Sequence, residues 1–309
     1  MINIFKGFLI GIANLIPGVS GGTFALILGI YERLVKDINK ITFKNLKALC
    51  DKGHLKEAFN NLDGVFVISL GAGALLSIVS LAPVIDWCLK NQPAHTLSFF
   101  GGLIIPSIAL PVGGIKNKGF KNALFALPGI AIVVFVYLYG PSQTSGNFSL
   151  LTVFVCGALA TSAMILPGIS GSFILLVIGI YETVIGHIKT FFSGFGFQSF
   201  IFLSVFSLGC VFGILAAARL IKYLFEKYKD RTLFFLVGLI LGSLVVLWPF
   251  KHYAFRDGAK AKISIVSAKN TWPSSSREAV HSSLFFMFGI LCAAMLGSIE
   301  KKRSSRNAD

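Results

Sequence analysis

The chain has 309 residues, 55% of them hydrophobic and 13% charged, with a mean hydropathy of +0.79, which excludes a soluble globule and points to repeated membrane-crossing segments. Its formal charge of +15 lies in loops between apolar runs, so it records membrane orientation rather than a nucleic-acid partner. Five widely spaced cysteines, Cys50, Cys88, Cys156, Cys210 and Cys292, fit neither a metal site nor a disulfide framework and read as small core residues.

The first apolar element, residues 4–35, is interrupted at its centre by Pro17 to Gly22. Lys6 ahead of a short apolar run has the look of a signal peptide, but an A-x-A cleavage site is missing and a similar element returns mid-chain, so it is kept in the fold. From Ile4 to the break the run reaches about half the hydrocarbon depth, at about 1.5 Å rise per residue against a core of about 30 Å. Three apolar segments follow near 64–89, 96–113 and 122–140. A second broken element spans 150–186, followed by segments near 197–221, 232–250 and 281–298. The pairs Gly7/Gly11, Gly209/Gly213 and Gly238/Gly242 have the spacing of close helix packing.

The two broken elements are copies. PGVSGGTFALILGIYE (17–32) aligns without a gap to PGISGSFILLVIGIYE (167–182), with nine identities in sixteen positions. Ser69-Leu70-Gly71 echoes Ser207-Leu208-Gly209, and GLIIPS (102–107) echoes GLILGS (238–243). The chain is therefore a duplication, with a first repeat over 1–140 and a second over 150–300.

Loop charge orients it. Placing Lys36 to Lys56 inside, and letting each broken element return to its starting side as a re-entrant hairpin, puts Lys116, Lys118, Lys121, the Arg219–Arg231 cluster and the Lys301–Arg306 tail inside as well. Both termini are then cytoplasmic. The basic loop 251–280 is the exception, since it falls outside. Each half crosses three times, an odd number, so the halves are inverted. The expected fold is an all-α polytopic membrane protein of two inverted repeats, each a hairpin (4–35 and 150–186) followed by three transmembrane helices.

A break that restarts a helix leaves N–H groups without intrahelical partners and a positive dipole end, which suits an anion. The candidate phosphate-binding residues are Pro17, Gly18, Ser20, Gly21, Gly22 and Thr23 at the first tip, and Pro167, Gly168, Ser170, Gly171 and Ser172 at the second. The competing reading is that Pro, Gly and Ser merely allow a tight turn. G-x-S-G also occurs around the nucleophile of rhomboid-type proteases, but all five histidines lie in loops or at segment ends, and duplication supplies two serines where catalysis needs one. Glu32 and Glu182 close the two copies as possible proton-linked carboxylates or as solvated interfacial ones. Arg33 and Arg219 are further candidates for headgroup contact. No cofactor and no metal are called for, and G-x-x-x-x-G-K-[ST] is missing.

The paired motifs, their spacing and the length of the chain resemble the bacterial polyprenyl-phosphate transporter family, the PopT-type undecaprenyl-phosphate translocases. The resemblance implies return of undecaprenyl phosphate from the outer to the inner leaflet of the cytoplasmic (inner) membrane, without enzymatic chemistry, for recycling in peptidoglycan and envelope synthesis. It departs from exact duplication at Ser172 and Phe173, which stand opposite Gly22 and Thr23. The alternative is a secondary transporter of a small soluble anion using the same tips.

Overall fold

A computed structural model describes residues 2–15, 19–41, 59–138, 148–194, 196–252 and 269–306. Pro17 and Gly18, the lysine-rich loop 42–58, the uncharged loop 139–147 and residues 253–268 of the basic loop lie outside the described residues. The first half opens with α1 (Ile2–Asn14), α2 (Gly21–Ile27) and α3 (Tyr31–Asn39), then α4 (Gly64–Asn91) and α5 (Pro93–Ile104). A single 3-10 turn at Ile105–Ile108, placed where Pro106 interrupts the helix, leads to α6 (Ala109–Gly114); α7 (Phe120–Ala123) then precedes α8 (Ala126–Leu138). The second half repeats the order with α9 (Leu150–Ile165), α10 (Gly171–Ile178), α11 (Tyr181–Gly194), α12 (Phe197–Lys227), α13 (Lys229–Val246) and α14 (Ser276–Arg306). Between α13 and α14, β1 (Lys251–His252) pairs antiparallel with β2 (Lys269–Asn270).

Among the described residues five stretches are long and apolar enough to cross a membrane: Gly64–Leu81, Pro93–Gly114, Phe120–Leu138, Phe197–Lys227 and Ser276–Met295. The protein is a multi-pass membrane protein. The sixth expected segment is α13, shifted to 229–246; it opens with Lys229, Asp230 and Arg231, which shortens its uncharged part. Asp230 accepts hydrogen bonds from the N–H groups of Lys116 and Asn117 at 2.9 and 3.0 Å, tying a loop of the first half to the second.

Each broken element contains a second break that the sequence reading passes over. Gly29 and Gly179 adopt φ of 63° and 84°, and the N–H groups of Ile30 and Ile180 reach back to the carbonyls of Ala25 and Leu175 at 2.9 and 3.1 Å. This is the Schellman ending, which needs a left-handed residue and so favours glycine. New helices then start at Tyr31 and Tyr181. Lys6 Nζ donates to the Leu28 carbonyl at 3.1 Å, so the chain doubles back to the level of its start. There α3 meets the beginning of α4: Arg33 Nε bonds Asp63 at 3.0 Å and its guanidinium lies 4.0 Å from the Phe66 ring centroid. In the second half α11 meets the beginning of α12, where His187 stacks on Phe202 at 4.0 Å and bonds Ser199 at 2.9 Å.

Four helix pairs carry the body: α1 with α4, α9 with α12, α5 with α14, and α8 with α13. The last two are reciprocal, since the third segment of each half packs on the second segment of the other. Every pair crosses at glycine. A Cβ on Gly7 would sit 2.1 Å from the Leu70 carbonyl oxygen, on Gly209 2.1 Å from that of Phe154, on Gly289 2.1 Å from that of Phe99, and on Gly238 2.0 Å from that of Ala126. In lipid, where burial of apolar side chains drives little, such close backbone approach is the main attraction. The geometry also corrects one echo. Gly73 abuts Ile4 as Gly209 abuts Phe154, so Gly73 is the counterpart of Gly209, and Gly71 has nothing within 4 Å of its added Cβ.

Where β1 and β2 cover the ends of α8 and α13, Lys251 Nζ lies 3.0 Å from Asn270 Oδ1 and 3.3 Å from the Tyr137 hydroxyl. Lys251 has no carboxylate partner among the described residues. Burial pulls its pKa from the ordinary 10.5 down to about 8.

Gly209→Leu is expected to destabilise the protein by about 1–3 kcal/mol through overpacking, and Gly71→Leu to leave thermal melting in detergent unchanged; equal losses would contradict the assigned crossing. Between pH 8 and 10.5 the unfolded chain holds the Lys251 proton more tightly than the folded one, so stability rises with pH across that window. Lys251→Met should flatten that rise, and a melting curve whose pH slope is the same in both proteins would refute the buried ammonium.

Candidate functional site

The two breaks meet. Ser20 Oγ donates to the Leu166 carbonyl at 3.0 Å, and the Gly168 N–H donates to Thr23 Oγ1 at 2.8 Å. The first tip thus supplies two hydroxyls to the loosened backbone of the second. Ser20 and Thr23 are fully buried and Ser170 nearly so.

The first tip is closed upon itself. Ser20 caps α2 by accepting from the Gly22 N–H at 3.1 Å, while its carbonyl receives the N–H groups of Thr23 and Phe24. The remaining N–H, that of Gly21, goes to Asn14 Oδ1 at 3.0 Å. All four donors at this helix start are taken, and all seven residues of α2 are buried. Asn14 is the residue that sequence reasoning missed. Its signal was present: it is the last residue of α1 and a lone amide beside the break, and Met164 stands in its place in the second copy.

The second tip is held differently. Gly168 has φ of 88°, and a Cβ there would sit 2.5 Å from the Leu239 carbonyl oxygen, so the turn leans on α13 and only glycine fits. Gly171 abuts the Ala160 carbonyl with 2.6 Å to an added Cβ. Ser170 Oγ and Ser172 Oγ lie 2.8 Å apart. Only one proton is needed between them, so the pair keeps a hydroxyl hydrogen for another acceptor. Ser172 and Gly171 are partly exposed, in contrast to their buried counterparts Gly22 and Gly21. Each tip therefore carries two hydroxyls, and of the four only that of Ser172 belongs to a partly exposed residue. Pro167 occupies the turn between Leu166 and Gly168; Pro17 and Gly18 fall outside the described residues.

The other candidates are not gathered at the tips. Arg33 is engaged with Asp63 and Phe66 at the start of α4. Arg219 reaches the Ile41 carbonyl at 3.4 Å, beyond α3. Glu32 is exposed in the first turn of α3, and Glu182 stands in the first turn of α11. The Ser20 hydroxyl is bonded to the Leu166 carbonyl and that of Ser170 to Ser172, and no described histidine bonds to either. Among the described residues no three His, Cys, Asp or Glu side chains are grouped to hold a metal ion.

Residues 10–264, a stretch that includes both tips, match the family described as VCA0040-like, undecaprenyl phosphate translocase-like. The chain is 39% identical over 247 residues to a polyprenyl-phosphate transporter of Vibrio cholerae serotype O1, covering 80% of this chain and 77% of that protein. It is 33% identical over 258 residues to a polyprenyl-phosphate transporter of Staphylococcus aureus, covering 80% of this chain and 86% of that protein. No solved structure matches it. A match of this extent, across both copies of the broken motif, makes the chain a member of the undecaprenyl phosphate translocase-like family.

Proposed function

We propose that the protein transports polyprenyl phosphate, specifically undecaprenyl phosphate, from the outer to the inner leaflet of the bacterial cytoplasmic membrane, returning the carrier lipid for envelope polymer synthesis. The observation that carries this reading is the contact between two helix breaks from different halves, in a family whose curated relatives are named for polyprenyl-phosphate transport. A phosphate cannot cross hydrocarbon unaided because its charge would be stripped of water, whereas the isoprenoid tail can stay in lipid throughout. Only the headgroup needs a polar stepping point.

In this reading the two halves are inverted repeats, and each broken element is a re-entrant hairpin. Support comes from the return of Leu28 to Lys6 and from α3 and α11 each lying beside the start of its own half's long helix. Support also comes from the reciprocal packing of α5 on α14 and α8 on α13. The phosphate is received where the tips meet, chiefly by Ser170, Gly171 and Ser172, with Gly168 and Thr23 at the seam. Ser20, Gly21 and Gly22 shape the seam, and the Pro17-Gly18 and Pro167-Gly168 pairs make the breaks. Rocking of the halves about the seam would expose the headgroup to one side and then the other. In this reading the Arg33, Arg219 and Arg231 end faces the cytoplasm, which the excess of Lys and Arg in the loops there supports.

In proteoliposomes that follow leaflet exchange of a fluorescent polyprenyl phosphate, Ser170→Ala with Ser172→Ala should slow exchange by about tenfold or more, as expected when hydrogen bonds to a charged group are lost. Its melting temperature should stay near that of the parent. Ser20→Ala with Thr23→Val should instead lower stability by about 1–3 kcal/mol, because it leaves Leu166 and Gly168 groups buried without partners. Exchange unaffected by the Ser170/Ser172 change would remove the phosphate from this tip, and uptake of soluble phosphate with no lipid exchange would replace the lipid substrate.

A further inference from the structure

Away from the tips, an open cavity of about 710 Å³ lies between α4, α5 and α14, within the about 300–1,000 Å³ usual for small-molecule sites. Its walls are three helical stripes. Phe99 and Phe100 come from α5, Leu284, Phe285 and Phe288 from α14, and Ile85 with Trp87 from α4. The spacing 281, 284, 285, 288 on α14 is one face of a helix, turned toward the groove. Below the groove α5 and α14 cross closely, since a Cβ on Gly102 would lie 2.0 Å from the Phe286 carbonyl oxygen. The glycine crossing brings the helices together at one level, and the aromatic side chains above it hold the groove.

The polar groups are confined to one end. His95 and His281 lie with ring centroids 6.1 Å apart, His95 bonds Gln92 at 2.7 Å, and Phe285 packs against the His95 ring at 4.9 Å. Both histidines stand in the early turns of their helices, which open at Pro93 and Ser276. Neither has a carboxylate partner among the described residues: Asp86 is paired with Lys90, and Glu278 accepts from the Ser274 N–H. Leu284, Phe285 and Phe288 remain substantially exposed at the cavity's open side, as a wall that continues into lipid does.

We infer that this groove is an outer-leaflet docking site for the substrate before it reaches the tips: the first isoprene units lie along Phe99, Leu284, Phe285 and Phe288, and the phosphate is held by His95 and His281. The inference rests on the transport reading above and adds a second, peripheral site to it. An isoprenoid monophosphate fits because it joins, at one carbon, a branched apolar chain to an anion, and the groove joins an apolar trough to two imidazoles. A diacyl lipid carries two chains at that junction, for which the single trough has no counterpart. The cavity is far too small for a whole undecaprenyl chain, so the remaining units stay in the bilayer.

The test uses the full chain in nanodiscs and a polyprenyl monophosphate carrying a diazirine on an isoprene unit near the phosphate, with cross-linked peptides mapped by mass spectrometry. Labelling is expected within 92–100 and 281–288, displaced by unlabelled undecaprenyl phosphate but not by undecaprenol or phosphatidylglycerol. His95→Ala with His281→Ala should weaken that displacement by about tenfold, the loss of one charge-assisted contact, and Phe285→Ala with Phe288→Ala should reduce labelling at the same peptides. Melting curves keep misfolding apart from lost binding, and His95→Gln should retain part of the affinity. Displacement by undecaprenol or phosphatidylglycerol to the same degree, or labelling elsewhere only, would overturn the groove. Leaflet exchange measured on the same preparation separates the two readings: exchange without groove labelling overturns the groove alone, and specific groove labelling without exchange overturns transport alone.

Discussion

Everything in this fold depends on two helix breaks sharing their hydrogen bonds. An interrupted helix inside a membrane protein leaves backbone groups that neither lipid nor water can satisfy, and each costs about 1–3 kcal/mol or more if left alone. Here the debt is settled across the halves, with Ser20 serving Leu166 and Thr23 serving Gly168. The backbone of the second tip is completed by hydroxyls of the first. The seam is consequently where hydrogen bonds tie the two broken elements to each other.

The long helices are arranged to hold that seam. Glycine crossings bring α1 against α4 and α9 against α12 at backbone contact, so that each broken element is carried on the long helix that follows it. The other two crossings exchange partners between halves. Between the pairs lie a continuous apolar core drawn from both halves and a few hydrogen bonds, those of the seam and that of the Asn39 amide to the Ala218 carbonyl at 2.8 Å. The first tip has all four of its helix-start donors occupied, whereas the second holds a serine pair in which Ser172 is partly exposed.

Much of this was legible from residues alone. The sixteen-residue repeat marks both broken elements, and adjacent Pro-Gly within an apolar run marks the breaks, because the pair does not continue a helix. The second breaks at Gly29 and Gly179 were less visible, although both glycines are among the nine identities: a single glycine inside a helical pattern is tolerated too often to signal a stop, and it is the Ile30 and Ile180 bonds that make the Schellman ending. The Ser-Leu-Gly echo misled by two residues because three letters of common types recur by chance, and only the approach to Ile4 and Phe154 fixes the register. The His95/His281 groove depends on contacts between elements that are distant in sequence, where no local spacing reports it, whereas Asn14 lies only seven residues from the Gly21 N–H it accepts from and was passed over as a lone amide.

The most direct check on the account is whether the purified protein recognises the lipid by its headgroup. Thermal unfolding would be followed with undecaprenyl phosphate, undecaprenol and a phosphatidic acid at matched concentrations, since a ligand that binds the folded state raises apparent stability. The account predicts stabilisation by the polyprenyl phosphate that neither control reproduces. Equal stabilisation by undecaprenol, or a response to soluble phosphate alone, would contradict it.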